Sequence, residues 1–362
     1  MANTKKTYLM VNGYQVGNIV DTTLSATSEN PVENKIIYTA LSQKLDTTTY
    51  NADKETIDSS LLELATHSSR TTAAERNSFV VIKDITNDIY NTASTLWTKL
   101  KNGDFSEVNV GNYIIGKKTG TKYWIVDCDY YYGNRTNGYS VAGYAENTHH
   151  LAIMPEVLKG VSTLLWTGKI YAGSNDNNTL QGCAPWAVKD GAGVNDTTGA
   201  YSSSYIRTTV LKAVHDNWLK ADFEDYGISI LPFYELNATQ TNTSAVSASC
   251  SLLTGASSSW GWENQNTAKC TLPSIQNLIG GDGWQSSAYD CGMLKEMLSI
   301  FKAGMSYQYF LGASGDWQIR ATWMKNVASA TNVCRFRDNG YSDSGDASAA
   351  FGVRPLAFIA VA

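Results

Sequence analysis

The sequence predicts an α+β protein in which a helical oligomerisation stalk precedes a larger, sheet-rich domain. Three observations lead there. Gly and Trp are scarce before residue 104, and nearly all the Gly, Trp and Cys come after it. Apolar residues upstream recur at helical spacing. Downstream, short runs of β-branched and aromatic residues are bounded by Gly, Asn and Asp. The chain has 362 residues, enough for one large domain or two ordinary ones with something extended between them.

The elements follow in order. Tyr8-Leu9-Met10-Val11 and Tyr14-Gln15-Val16 flank Asn12-Gly13, a strong signal for a two-residue hairpin turn. A hairpin this short is not stable alone and has to pack on something, so residues 1–22 are assigned to attachment. Residues 23–103 are assigned to the stalk. Asn30 suits an N-cap, Pro31 the first helical position, and Glu33 stands three residues after the cap. Ile36, Ile37, Ala40, Leu41 and Leu45 then recur at helical spacing, as do Ile57, Leu61 and Leu64. Thr72 with Glu75 forms a second capping box. Ile82, Ile85, Ile89, Thr92, Leu96 and Leu100 step by three and four, a narrow seam of the coiled-coil kind, and Gly103 can end it. One helix cannot bury such a stripe. Isoleucine at successive seam positions favours more than two strands, so a homotrimer is expected, with an intramolecular bundle as the alternative.

Residues 104–362 make the second domain. Asn112–Gly116 and Tyr123–Val126 read as a hairpin around Lys117-Lys118-Thr119-Gly120, and His150–Met154 as a strand. Ser204–Trp218 carries a helical pattern, and so does the stretch from Leu294 to Phe301. Cys334–Arg337 precedes a turn at Asp338-Asn339-Gly340, and Val353–Val361 closes the chain as an apolar strand. The loops at roughly 172–203 and 236–268 exceed the usual median length and suit binding.

Composition excludes several functions. A net charge of −5 argues against phosphate neutralisation, so no nucleic-acid partner is expected. No run of 18 apolar residues occurs, so no membrane insertion is expected. The apolar stretch after Lys5-Lys6 is cut short at Asn12-Gly13 and makes a poor signal peptide. Six cysteines, at positions 128, 183, 250, 270, 291 and 334, form no C-x-x-C pair and have no His at ligand spacing. Buried free thiols are expected, with no metal site.

Two stretches carry a resemblance. Thr27-Ser28-Glu29-Asn30-Pro31-Val32-Glu33-Asn34-Lys35, within residues 21–46, resembles a segment common in tail-fibre and other distal tail proteins of bacteriophages. Gly199–Arg207, Cys270-Thr271-Leu272-Pro273-Ser274 and Phe351-Gly352-Val353-Arg354-Pro355 resemble landmarks of a domain at the C-termini of phage structural proteins. That domain is related to the C-type-lectin-like fold of formylglycine-generating enzymes. Where the family has a Trp-Leu-Arg-Ser-like element, this chain has Trp317–Arg320 or Ala321–Met324, a degraded match. The resemblance implies a C-type-lectin-like binding domain over 104–362, in a virion tail protein assembled in the host bacterial cytoplasm.

Catalytic chemistry finds little support in the residues. Cys291 and Cys334 lack the context of the oxidase's copper site. Asp127 and Asp129 would share one face of a strand, and a sugar-cleaving enzyme needs paired carboxylates, but a solvated strand end accounts for them. Of the pair His149-His150, one is expected to face solvent and one the core. No G-x-S-x-G, P-loop or H-E-x-x-H motif occurs. No cofactor is expected. Calcium is the one ion left open, at Asp338, Asp343 and Asp346, whose spacing does not match an EF-hand and which turn formation explains.

Tyr, Trp, Ser, Asn and Gly are the residues of adaptable recognition surfaces. The expected ligand-binding residues are Tyr307, Trp317, Arg320, Trp323, Asn332, Arg335, Arg337, Asn339 and Tyr341. For Trp317 and Trp323 the sequence leaves core and surface open. Arg354 is expected to pair internally. The expected function is adhesion to a host cell-surface glycan or protein, with other tail or baseplate proteins bound through the N-terminus. A tail-associated polysaccharide-degrading enzyme is the alternative.

Overall fold

The computed structural model describes residues 7–11, 14–19, 52, 72–133, 141–161, 164–169, 175–238, 260–280, 297–311, 320–337, 339–340 and 342–361. The chain divides into two compact units, Met1–Ser69 and Arg70–Ala362. The protein is mixed α/β, mostly sheet with few helices.

In the first unit β1 (Thr7–Val11) pairs antiparallel with β2 (Tyr14–Ile19). Val11 stands opposite Tyr14, the pairing expected of strands flanking Asn12-Gly13, and the register shifts between Leu9 and Met10. Apart from the helical Ala52, the expected stalk lies outside the described residues up to residue 71.

The second unit starts earlier than the composition suggests. Thr72 and Glu75 form the expected capping box, but the helix they begin, α1 (Ala73–Arg76), is one turn long. Then come β3 (Lys83–Asp84), α2 (Thr86–Tyr90) and α3 (Thr95–Leu100). The seam from Ile82 to Leu100 is therefore broken over two short helices, not carried on one stalk helix. Ile85, Ile89, Leu96, Trp97 and Leu100 are buried in one core with residues from the rest of the unit, while Ile82 is half exposed. Trp97 Nε1 donates to the Ile89 carbonyl at 2.8 Å, which ties α3 to α2. A three-and-four spacing reports a buried stripe, and here the same chain supplies the surface that buries it.

The strands follow as β4 (Asn112–Ile115), β5 (Lys122–Cys128), β6 (Leu151–Pro155), β7 (Cys183–Pro185), β8 (Val188–Lys189) and β9 (Ala192–Gly193). Residues 206–222 form α4, a continuous helical run that includes π turns at Ile206–Val210 and His215–Leu219. Next are β10 (Ser229–Ile230), β11 (Tyr234–Ala238), β12 (Trp260–Asn264) and β13 (Cys270–Thr271). Three short helices follow, α5 (Ile275–Ile279), α6 (Ser299–Lys302) and α7 (Tyr307–Leu311). The chain closes with β14 (Thr322–Val327), β15 (Asn332–Phe336), β16 (Ser342–Asp346), β17 (Ala350–Gly352) and β18 (Leu356–Ala360). Leu298 is extended, so α6 begins at Ser299, inside the expected Leu294–Phe301 pattern, of which residues 294–296 lie outside the described residues.

The larger sheet runs β10-β18-β6-β5-β4-β3, with β13 also on β18. The second runs β16-β15-β14-β17-β7. Both faces of β18 are covered, which is why its residues are apolar without alternation. The β4–β5 loop is held by Asp222 at the end of α4. One carboxylate oxygen accepts the Lys118 and Thr119 N–H groups, each at 2.9 Å. The other accepts the Thr119 and Tyr123 hydroxyls at 2.6 and 2.9 Å. Gly116 makes room for this, because a Cβ there would stand 2.2 Å from Asp222. Arg354 pairs internally as expected, donating to the Glu156 and Ala321 carbonyls.

Candidate functional site

Of the expected binding residues, Trp323, Asn332 and Arg335 lie on the second sheet and Tyr307 on α7, and most of those described are already engaged. Trp323 is fully buried, and its Nε1 donates to the Ala184 carbonyl at 2.8 Å. It packs edge-on against Trp186 and Phe351, so it is a core side chain and not a contact residue. The reason is that both faces of β14 are covered and all six of its residues are buried. Arg335 pairs with Asp343 across the β15–β16 hairpin, Nε to Oδ1 at 2.6 Å and Nη2 to Oδ2 at 3.1 Å, and its guanidinium lies 4.5 Å over the Phe351 ring. Arg337 pairs with the same carboxylate. Asp343, one of the three calcium candidates, is thereby committed to two guanidiniums. Tyr307 is half-buried against Phe301 and Phe336 and donates to the Leu278 carbonyl. Arg320 is half-buried, Asn332 is half-buried in the turn that begins β15, and Asn339 is exposed. Trp317, Tyr341 and Asp338 lie outside the described residues, as do Cys250 and Cys291. Cys128, Cys183, Cys270 and Cys334 are buried free thiols, as expected.

A different place gathers polar and aromatic side chains around open space. At the end of β5 the pairing with β6 shifts between Ile125 and Asp127, a bulge. Asp129 then takes a left-handed φ of +59°, which a short polar side chain tolerates better than most. The chain leaves the strand as Tyr130-Tyr131-Tyr132-Gly133. Tyr130 and Tyr131 turn into the core against Phe358, whereas Tyr132 is 43% exposed. Next to it opens a cleft of about 830 Å³. Asn77 and Ser78 after α1, Asp127, Asp129, Tyr132, and Ser299 and Lys302 of α6 line it.

Hydrogen bonds fix this cleft. Asn77 Nδ2 donates to Asp127 Oδ1 at 2.8 Å, and its Oδ1 accepts the Cys128 N–H at 2.8 Å. Asp127 Oδ2 accepts the Ser299 N–H at 3.0 Å, which anchors the start of α6. Burial pushes the Asp127 carboxyl up to about 6, against the Ser299 and Asn77 hydrogen bonds that favour the charged form. Asp129 Oδ1 accepts the His150 N–H at 2.9 Å, and Oδ2 lies 2.6 Å from His149 Nδ1. His150 is the core member of the pair, as expected. Its Nδ1 donates to the Thr148 carbonyl at 2.8 Å and its Nε2 accepts the Tyr131 N–H at 3.3 Å. Burial lowers its pKa below the ordinary histidine value, in keeping with a neutral ring.

The reading of Asp127 and Asp129 as one face of a solvated strand end is corrected, because Asp127 is buried and the left-handed φ falls on Asp129 itself. They are not equivalent neighbours on one face. Asp127 engages its oxygens with Asn77 and Ser299 from different elements, and Asp129 engages its own with the adjacent His149 and His150. A general acid or base for glycoside cleavage needs an oxygen aimed at substrate or water. The arrangement suits holding a ligand. Among the described residues no group of three His, Cys, Asp or Glu side chains is placed to share a metal ion.

A second polar concentration, under β11 and β12, is neutralised from within. Glu263 meets Arg207 at 3.1 Å and Glu235 meets Lys325 at 3.7 Å. Asn237 Nδ2 bridges the two carboxylates at 3.0 and 2.8 Å.

Sequence reasoning missed Tyr132, Asn77 and Lys302. The one available signal was the Tyr triplet closed by Gly133 just after the Asp127/Asp129 pair. In any extended triplet the middle residue faces away from its neighbours, and here the bulge and the turn decide which ring emerges. Compared with known proteins, the chain matches no family model, no curated protein and no solved structure.

Proposed function

We propose that the protein is a virion tail protein, a tail fibre or receptor-binding protein, whose second unit adheres to a host cell-surface glycan or protein. The observation that carries this reading is the cleft beside Tyr132, where an exposed aromatic ring and polar groups surround a space whose carboxylates are already engaged. That is the chemistry of recognition without turnover. The resemblance to a C-type-lectin-like phage domain supports it, and the segments that carry the resemblance meet in the core. The Tyr201 hydroxyl lies 2.9 Å from Thr271 Oγ1 and accepts the Leu272 N–H at 2.9 Å, and Phe351 and Val353 are buried in the same core as Tyr201 and Leu272.

In this reading residues 1–69 attach to the rest of the tail and hold a trimer, and several weak sites act together through effective concentration. The seam from Ile82 to Leu100, on which the sequence places the trimer, is taken up by the second unit, so this reading rests the trimer on the helical repeats upstream, at Ile36 to Leu64. Light scattering on the full chain is expected to give about three times 39.5 kDa. A monomer overturns the trimer. Incubation with host envelope polysaccharide tests the function itself: the protein should be retained without release of reducing ends. Release of reducing ends would establish the polysaccharide-degrading alternative, for which the raised pKa of Asp127 is the one supporting observation.

A further inference from the structure

We propose that Tyr132 is a stacking platform for a neutral pyranose ring, held in place by His149 and Asp129. This rests on the adhesion reading and names its ligand class.

The platform is built as a layered unit. The Tyr132 ring stacks on the His149 ring with centroids 3.8 Å apart and planes 23° apart. His149 is in turn fixed on its other sides. Asp129 holds its Nδ1 at 2.6 Å, and Phe105 meets it edge-on at 6.0 Å. Gly103, at φ +74°, passes so close that a Cβ there would lie 2.9 Å from His149 Cε1 and Nε2. The Tyr132 N–H closes a turn onto the Asp129 carbonyl at 3.1 Å, so the same residue that anchors the histidine also sets the backbone of the tyrosine. One face of an exposed aromatic ring is thus supported by rigid neighbours while the side chain borders the cleft. A ring already immobilised loses little rotamer freedom on binding, which is the cost that weakens most surface contacts.

The occupant follows from size and charge. A cleft of about 830 Å³ falls in the range of small-ligand sites and takes a few sugar rings, where a protein partner would need a broad surface. The apolar C–H face of a pyranose suits an aromatic face. Its hydroxyls are donors, and Asp129 keeps lone pairs beyond those that the His149 ring and the His150 N–H use, since an ionised carboxylate has about four acceptor positions. Among the described lining residues two carboxylates stand against the Lys302 ammonium, a balance that disfavours acidic sugars. The geometry therefore points to neutral pyranosides and away from uronic or phosphorylated ones.

Ligand-observed saturation-transfer NMR on the full chain tests this, with the methyl glycosides of glucose, galactose, mannose and N-acetylglucosamine at millimolar concentration and methyl glucuronide as the acidic probe. The expected result is transfer to ring C–H protons of at least one neutral glycoside and none to the glucuronide. Tyr132→Phe should bind within about threefold of the parent, and Tyr132→Ala about tenfold weaker or more. No transfer to any neutral glycoside, preference for the glucuronide, or equal binding by Tyr132→Ala overturns the platform. Host-cell retention separates the two levels. If the parent and Tyr132→Ala hold host cells equally, the platform fails and the adhesin stands. If the parent holds no host cells yet shows Tyr132-dependent transfer, the platform stands and the adhesin fails.

Discussion

The β15–β16 hairpin and the turn at the end of β5 are built from the same kinds of residue, yet they end with opposite roles. In the hairpin, regular pairing sets Arg335 opposite Asp343, and the guanidinium closes over Phe351. The neighbouring strand β14 buries Trp323 between two covered faces. At the end of β5, one bulge and one left-handed residue break the alternation, so that two tyrosines go in and the third comes out. Aromatic and charged composition marks both places equally. What separates them is whether the backbone is regular enough for its charges to find each other.

The largest expected effect tests how far the hairpin depends on the rest of its unit. The core that contains Trp323, Val333 and Phe351 also contains Ile85, Ile89, Leu96, Trp97 and Leu100. A chain starting at residue 104 lacks that wall and is expected to show no cooperative thermal transition, whereas one starting at residue 70 should unfold cooperatively. Equal behaviour of the two would return residues 72–103 to a separate stalk. Next in size is Trp323→Ala. Loss of a fully buried indole costs about 3–5 kcal/mol, and the Ala184 carbonyl loses its donor as well. Urea unfolding measures it, and a change under 1 kcal/mol, far below the range for a buried ring, would mean that the hairpin's aromatics are surface after all.

Much of the sheet architecture was legible in the sequence because it rests on local signals. Asn12-Gly13 fixed a hairpin, Lys117–Gly120 another, and the apolar run at 353–361 a buried strand. The seam at 82–100 misled because a three-and-four period states that a stripe is covered and is silent on what covers it. The helix was read correctly at Thr72, where the cap is local, and incorrectly past Arg76, where tertiary packing breaks it. The candidate site was half legible. Asp127, Asp129, His149 and His150 drew attention as types; His150 is the core histidine, while His149 is half-buried under Tyr132 and not turned to solvent. The side chains they meet, Asn77, Tyr132 and Ser299, come from segments up to 172 residues away, and no spacing rule reaches that far. The Arg335 and Arg337 positions looked available because Asp343 is visible as a partner only once the hairpin register is known.

An intermediate effect distinguishes the two regions by pH. Asp127 has a folded pKa of about 6, above the roughly 3.9 of an unfolded chain. Between those values the folded state binds more protons than the unfolded one, so this group's contribution to stability falls as pH rises from about 4 to about 6. Asp127→Asn removes that dependence. Relative to the parent, the variant is expected to gain about 2–3 kcal/mol between pH 4 and pH 7, whatever its offset at either end. His150 acts in the opposite sense and in both proteins alike. Its lowered folded pKa withdraws stability as pH falls through the ordinary histidine value, because the unfolded chain then takes up the proton first. Urea unfolding of both proteins at the two pH values isolates the Asp127 part. A constant difference would mean that the carboxyl is solvated and that the Asn77 and Ser299 contacts do not bury it.

The smallest expected effect on stability is at the residue expected to matter most for binding. Tyr132 is 43% exposed. Removing the ring loses one stacked face on His149, so Tyr132→Ala should change unfolding free energy by about 0.5–1 kcal/mol, several-fold less than Trp323→Ala. The same pair of substitutions should rank in reverse for retention on host envelopes at a temperature where both variants are folded. Trp323 touches no surface, so its loss acts only through the folded fraction, while Tyr132 acts directly. A Tyr132→Ala protein as unstable as Trp323→Ala would show that the turn is part of the core and that the ring's exposure is incidental. A variant that is stable and fully retained would put the contact surface elsewhere, with Asn339 and Arg337 at the far end of the hairpin as the next residues to substitute.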